Sequence, residues 1–260
     1  MSTLSKVSGL MPDKLFVAAI ARAHRRFEPE LGRIVASYPG GGSVLDVGAW
    51  YGPWTYWLAR RARRVLAFEP NPDVAVVLER CVPSNVTVVR AAASDRAATA
   101  NLTLPEGGRG TEGRASLEGL DDSTRAVAVE TLRIDDLDLA ALDLADLLMM
   151  KVDVEGHERA ALAGAVATIE RHHPLLVVEI EERHGGIAPT VDLLAGLGYR
   201  GRVLVDDAWV SLDDFDLAGH QAETLAATQG GSYLQIAARR GTHYVNNVVF
   251  THTETSWDVR

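Results

Sequence analysis

From Ser43 onward, short apolar runs alternate with stretches in which apolar positions recur every three or four residues. That is the pattern of strands buried on both faces alternating with amphipathic helices. Strands are predicted at 43–48, 64–69, 86–90, 147–153, 174–181 and 201–205, and helices at 53–62, 72–81, 156–172 and 189–198. Asn71-Pro72-Asp73 supplies a cap, a first-turn proline and an early acid, a strong helix start. Pro174, after His172-His173, stops the long fourth helix. Strand and helix repeated in this way imply right-handed crossovers and a parallel sheet.

Upstream, residues 13–37 read as one or two amphipathic helices, with Leu15, Phe16, Ala19 and Ile20, then Phe27, Leu31, Ile34 and Val35, at helical spacing. Pro29 opens the second, and Gly40-Gly41-Gly42 releases the chain into the sheet. The expected organisation is a helical cap over 1–42 and one α/β domain over 43–260. Two stretches break the rhythm. Within 97–137, the segments 101–104, 115–117 and 127–132 look like short strands around a glycine-rich loop at 107–113, a small antiparallel insertion. The tail 203–250 ends in Tyr244-Val-Asn-Asn-Val-Val-Phe250, a strand expected to lie antiparallel at the sheet edge.

Composition narrows the function. A chain of 260 residues buries a large core. Its formal charge of −9 argues against a nucleic-acid surface, which needs clustered Lys and Arg. The basic run Arg60, Arg61, Arg63 and Arg64 closes a helix, where cations complement the dipole. Cys81 is the only cysteine, so neither a disulfide framework nor a Cys-based metal site is expected. With neither an apolar leader nor a run of about 18 apolar residues, a cytoplasmic protein without membrane contact is expected, as a monomer or homo-oligomer.

Ligands of an open parallel sheet bind beyond the carboxyl ends of its strands. Four such ends carry polar residues: Asp46 to Gly52, Glu69-Pro70-Asn71, Ala92-Ala93-Ser94-Asp95, and Lys151-Val-Asp-Val-Glu-Gly-His-Glu158. The first two, Val44-Leu-Asp-Val-Gly-Ala-Trp-Tyr-Gly52 and Phe68-Glu-Pro-Asn71, describe a nucleoside-binding half-fold whose second acid receives ribose hydroxyls. Gly48 and Gly52 lack the third glycine of a dinucleotide fingerprint, and Asp46 would repel a pyrophosphate. A ligand with an amine and a sulfonium suits Asp46 better, which points to S-adenosylmethionine. Gly48, Ala49, Trp50 and Gly52 then form the turn around it, Glu69 with Pro70 and Asn71 the ribose clamp, and Ala93, Ser94 and Asp95 the adenine end. Trp50 and Tyr51 lie in the turn, while Trp54 and Trp57 share a helix face suited to packing.

Lysine is scarce (Lys6, Lys14 and Lys151), yet Lys151 falls in a predicted central strand, where a charge needs a partner. Asp46 or Glu179 can supply it if this strand lies between the first and the fifth. Extended geometry puts Lys151, Asp153 and Glu155 on one face. Asp153 is the expected base, with Glu155, Glu179 or His157 as substitutes, and His184 a weaker candidate at the rim. These groups can also ligate a divalent cation, but no second Asp-rich loop accompanies them, and no metal is expected.

The stretches Leu45-Asp-Val-Gly-Ala…Gly52, Phe68-Glu-Pro-Asn71, Lys151-Val-Asp-Val-Glu-Gly-His-Glu158 and His173-Pro…Val178-Glu-Ile180 resemble the FkbM-type family of S-adenosylmethionine-dependent methyltransferases, with Asn246-Asn-Val-Val-Phe250 similar as well. The resemblance implies an α/β fold, the Rossmann-like class I methyltransferase sheet of seven strands with the last antiparallel. It implies methyl transfer to a hydroxyl of a sugar or secondary metabolite. It also implies that Asp46, Gly48, Gly52, Glu69 and Asp95 hold the cofactor and that Lys151, Asp153, Glu155 and Glu179 sit at the reaction centre. A nicotinamide-dependent oxidoreductase and a non-catalytic cofactor-binding protein are the alternatives.

Overall fold

The computed structural model describes residues 11–105, 109–110, 112–119, 123–228 and 244–259. Lys6, the rest of the N-terminal cap before residue 11, part of the glycine-rich loop and residues 229–243 of the tail lie outside the described residues. The chain begins with α1 (Asp13–Phe27) and α2 (Pro29–Ser37). Then come β1 (Ser43–Val47), α3 (Pro53–Leu58), β2 (Arg64–Phe68), α4 (Pro72–Cys81) and β3 (Val86–Val89). A separate three-stranded sheet follows, from β4 (Ala92–Ala93), β5 (Ala98–Pro105) and β6 (Ser123–Leu132). The main sheet resumes with β7 (Leu147–Val152), α5 (Glu158–Ala163), α6 (Val166–His172), β8 (Leu175–Glu179) and α7 (Ala188–Gly196). It closes with β9 (Arg200–Val205), β10 (Ala208–Ser211), α8 (Leu217–Thr228) and β11 (Asn247–Thr251). Among the described residues, no helix is long and apolar enough to cross a membrane.

The main sheet has the order β10-β9-β11-β8-β7-β1-β2-β3. Strands β3, β2, β1, β7 and β8 pair in parallel, so their carboxyl ends converge on one rim. Strand β7 lies between β1 and β8, which sets Asp46 beside Lys151 in register. Strand β11 is antiparallel, as expected, but it is not at the edge. It runs between β8 and β9, because Asn247 to Phe250 are buried and a strand covered on both faces belongs inside a sheet. The edge on this side is β10, which makes eight strands in this sheet among the described residues. It folds back from β9 through Asp206-Asp207, both at positive φ, which matches the right-handed twist of a tight hairpin.

Two predicted helices come out shorter, each for a visible reason. The helix expected over 53–62 ends at Leu58, where the Arg60 and Arg61 amides donate to carbonyls three residues back and tighten the last turn. The helix expected over 156–172 is two helices that meet at Gly164. A Cβ at Gly164 would fall 1.9 Å from the Ser94 carbonyl oxygen, so the chain passes β4 here at a distance only glycine allows. The Asp135 carboxylate then accepts from the Ala167 and Thr168 amides at 3.1 and 2.8 Å and starts α6.

The N-terminal helices are fastened to the rim by aromatic side chains. The Phe16 ring meets the Tyr51 ring edge-on at 5.0 Å. Trp57 Nε1 donates to the Ala21 carbonyl and Trp54 Nε1 to Glu28 Oε2, both at 2.8 Å. Packing is therefore the role of Trp54 and Trp57, and it joins α1 to α3.

Candidate active site

The turn after β1 is held by its own chain. Gly48 has φ +84°, and a Cβ there would fall 1.7 Å from the Asp153 carbonyl oxygen. Gly52 has φ +75°, and a Cβ would meet Leu78 at 2.6 Å. Both glycines are required by protein packing. Gly48 nonetheless brings the ends of β1 and β7 together and lines the cleft. Between them, Ala49 is buried.

Asp46 also departs from expectation. Its carboxylate accepts a hydrogen bond from Thr55 in α3 and is almost fully buried. It is directed under the helix rather than toward the cleft. Burial pushes its pKa up to about 6, against the opposing pull of Thr55 and Lys151.

Glu69, at the tip of β2, lines the cleft as expected. Its Oε2 accepts from the Trp50 amide at 2.7 Å and its Oε1 from the Asn71 amide at 2.8 Å. The first contact holds Trp50 at φ +49°, a left-handed position rarely adopted by a bulky residue. Asn71 caps α4 through Asp73, while its buried Nδ2 has no hydrogen-bond partner among the described residues, nor has the Trp50 Nε1. Two orphaned donors beside a fixed carboxylate fit a polar ligand at this end. Pro70 and Ala93 continue the wall with Phe68, Ala91 and Ala92, flat and apolar enough for an aromatic base.

The insertion supplies the opposite wall, a role the sequence left unplaced. Leu102, Gly113, Ala115 and Leu117 close over the cleft. Ser116 Oγ donates to the Glu155 carbonyl at 2.6 Å and holds Glu155 at φ +48°. His157 braces the same turn, with Nδ1 2.6 Å from Glu118 Oε1 and Nε2 3.0 Å from Ser94 Oγ. Both its nitrogens are thus engaged. Glu158 receives the Val154 and Gly156 amides and closes the turn from below. Asp95 stands aside: it is half exposed, 3.5 Å from Arg96, and does not line the cleft.

The charged centre lies at the end of β7. Lys151 is fully buried, with Nζ 3.3 Å from Asp153 Oδ2 and over the Trp54 ring at 5.3 Å. The counter-charge expected from Asp46 or Glu179 comes chiefly from Asp153, though Glu179 and Glu28 add to it. Burial works against the ammonium, but these acids outweigh it and raise its pKa. Asp153 is held below the usual carboxylate range: burial opposes ionisation, and Lys151 and a hydrogen bond with Glu179 prevail. Glu179 is pushed well above that range by burial and by the Asp153 charge. The pair shares its ionisation, with the charge on Asp153 and the proton on Glu179.

Beyond Glu155 lies a second recess, lined by Glu155, Glu158, Glu179, Glu181 and His184. His184 Nε2 sits 3.4 Å from Glu155 Oε2, and burial raises the Glu155 pKa in spite of it. Asn246, just before β11, donates to Glu179. The sequence had marked the Asn246 segment but gave it no task, and it gave no sign of His24 and Glu28 on the cap, both near this centre. Among the described residues, one group gathers ligating atoms closely enough for a cation, within 4.8 Å of one another. It is His173, His252 and Glu254, at the opposite end of the sheet from the cleft.

Residues 46–201 match the family model described as the methyltransferase FkbM domain. A comparison with curated proteins finds no match. Among solved structures, a methyltransferase FkbM from Methylobacillus flagellatus KT is similar over 66% of this chain and 42% of its own, with 19% identity and a TM-score of 0.44. This chain thus spans less than half the length of that protein. A precorrin 8w decarboxylase from Methanobacterium thermoautotrophicum is similar over 87% of this chain and 90% of its own, with 15% identity and a TM-score of 0.44. The plantazolicin methyltransferase BpumL, solved in complex with SAH, is similar over 96% and 93%, with 8% identity and a TM-score of 0.41. The family match covers more than half of the sequence and contains both the Glu69 turn and the Lys151 segment, and on that ground the chain belongs to the FkbM family of methyltransferases.

Proposed function

We propose that the protein transfers a methyl group from S-adenosylmethionine to a hydroxyl of a small polar acceptor, a sugar or a hydroxylated secondary metabolite. The observation that carries this reading is Glu69. A carboxylate at a strand tip, fixed by two backbone amides and facing an apolar slot, suits a ribose diol beside a base. Asn71 Nδ2 and Trp50 Nε1 supply donors at the same place. The family match favours this ligand over a nicotinamide dinucleotide.

The cofactor supplies a methyl group on a positive sulfur, already activated for displacement. The protein must hold an acceptor oxygen in line with that methyl, which contributes up to about 7–11 kcal/mol in favourable cases, and must take the hydroxyl proton, worth roughly 10²–10⁴-fold. Asp153 and Glu155 line the cleft and offer carboxylate oxygens that can accept hydrogen bonds from a hydroxylated molecule. Asp153, between recess and cleft, orients the reacting hydroxyl by accepting its hydrogen bond. Its depressed pKa makes it a weak proton sink, which counts against it as the base.

The test is calorimetry with S-adenosylmethionine and with NADH, followed by mass spectrometry of a panel of sugars and phenols incubated with enzyme and methyl donor. Binding of the sulfonium and a product heavier by one methylene are expected. Binding of NADH alone would overturn the reading.

A further inference from the structure

We propose that Glu155, the carboxylate shared by the cleft and the recess behind it, is the general base that takes the acceptor's hydroxyl proton. This rests on the methyl-transfer reading above and adds to it the group that deprotonates the acceptor.

Three carboxylates line the cleft among the described residues, those of Glu69, Asp153 and Glu155. Glu69 is bound by the Trp50 and Asn71 amides, and Asp153 is paired with Lys151 at 3.3 Å. A carboxylate held in either way is a weak proton acceptor, because its partners stabilise the ionised form. Glu155 Oε2 instead has His184 Nε2 at 3.4 Å. The residue also lines the recess, with Glu158, Glu179, Glu181 and His184. Its backbone lies at φ +48° and is held there by Ser116 Oγ on its carbonyl. A non-glycine residue keeps such a conformation only where its surroundings impose it. The loop that carries His184 packs on the same turn, so closely that a Cβ at Gly156 would fall 3.2 Å from the His184 Cβ. The turn is thus fixed from two sides, at the junction of cleft and recess.

The charged groups facing Glu155 are Asp153 on its own segment, Glu158 at the start of α5 and Glu179 at the end of β8. Glu181, Arg183 and His184 face it from the loop that follows β8. Burial, aided by the charges of Asp153 and Glu181, raises the Glu155 pKa above the usual carboxylate range, and His184 opposes this only in part. A carboxylate of raised pKa is the better proton acceptor. The acceptor's O–H bond breaks toward Glu155, the oxygen's electron pair forms the bond to the transferred carbon, and the carbon–sulfur pair remains with sulfur. Asp153 orients the hydroxyl, and Glu155 deprotonates it. The proton passes to solvent once product has left the cleft.

The test begins with the native protein labelled with ¹³C-glutamate, the Glu155 carboxyl being assigned by its loss in Glu155→Gln and again in Glu155→Asp. Sinefungin, which carries an amine in place of the methylated sulfur, should lower the Glu155 titration midpoint more than S-adenosylhomocysteine does. If calorimetry shows that neither compound binds, the methyl-transfer reading fails and the base assignment with it. If both bind and the midpoint responds equally to both, the base assignment alone fails. With any acceptor that yields product, Glu155→Gln should lower kcat about 10²–10⁴-fold with little change in KM for the methyl donor. Glu155→Asp keeps a carboxylate and should retain part of the turnover. An unchanged kcat in Glu155→Gln, or an equal loss in both variants, would overturn the assignment.

Discussion

Lys151 and Asp153 lie two residues apart on one face of the chain as it leaves β7, their charged atoms 3.3 Å apart, and Lys151 has no exposed surface. A lysine so placed is tolerated only because its partner is fixed in the same stretch of backbone. Removing the ammonium takes away the chief counter-charge that keeps Asp153 ionised in a buried place.

Lys151→Met should therefore destabilise the protein by roughly 3–5 kcal/mol, the cost of breaking a buried pair from one side. The exposed Lys14 is the control, and Lys14→Met should leave the melting temperature nearly unchanged. Equal melting curves for the two variants would show that Lys151 is not buried.

Glu69→Gln keeps the side chain's shape but removes its charge and one acceptor. S-adenosylmethionine affinity measured by calorimetry should fall about 10- to 100-fold, equivalent to losing a hydrogen bond to a charged group. The fold should survive, since one amide oxygen can still receive a backbone N–H. Undiminished affinity would remove Glu69 from the cofactor site.

Asp46 makes stability depend on pH with a definite sign. Folded, its carboxyl keeps its proton up to about pH 6, against a reference of 3.8. Between those values the unfolded chain has released a proton that the folded chain retains, so this group's contribution to stability falls as pH rises from about 4 to about 6. Asp46→Asn should abolish that fall and stabilise the protein above pH 6 by up to about 3 kcal/mol. Denaturant midpoints of both proteins at pH 4 and pH 7 give the comparison, and a parallel shift at both pH values would contradict it.

Gly48→Ala should be costly although the added group is one methyl. The Cβ has no space before the Asp153 carbonyl, and the positive φ adds strain of its own. A loss of roughly 2 kcal/mol or more is expected in thermal unfolding, with S-adenosylmethionine binding weakened because the β1 and β7 ends separate. Wild-type stability in this variant would mean that the two turns are not in contact.

Local rules made much of the fold legible. The alternation of apolar runs located the parallel strands, and Asn71-Pro72 located the start of α4. What escaped the sequence depended on distant partners. Nothing near Gly164 announces that Ser94 will press on it, and nothing near Asp135 announces that it will cap α6. The insertion looked like an ornament because its contacts with Glu155 and His157 join residues 39 apart in sequence. The site divides in the same way. Glu69 and the Lys151 segment carried local signals, whereas His24 lies on a helix, and Glu28 at its end, whose pattern is that of any amphipathic cap. Asp46 carried a strong signal that misled about direction, since a strand-end acid can turn under its helix as readily as toward a ligand.

The position of β11 has a consequence for how the protein comes into being. It is the last strand of the sheet to be synthesised, yet it is the member that joins β8 to β9. Until it arrives, β8 and β9 each present an open edge, and Glu179 lacks the Asn246 amide that holds it. The half of the sheet bearing Glu69 can assemble from earlier segments, while the half bearing the carboxyl pair must wait for residues 246–251. A nascent chain would therefore complete the rim around Glu69 before the carboxyl pair of Asp153 and Glu179 gains its last hydrogen bond.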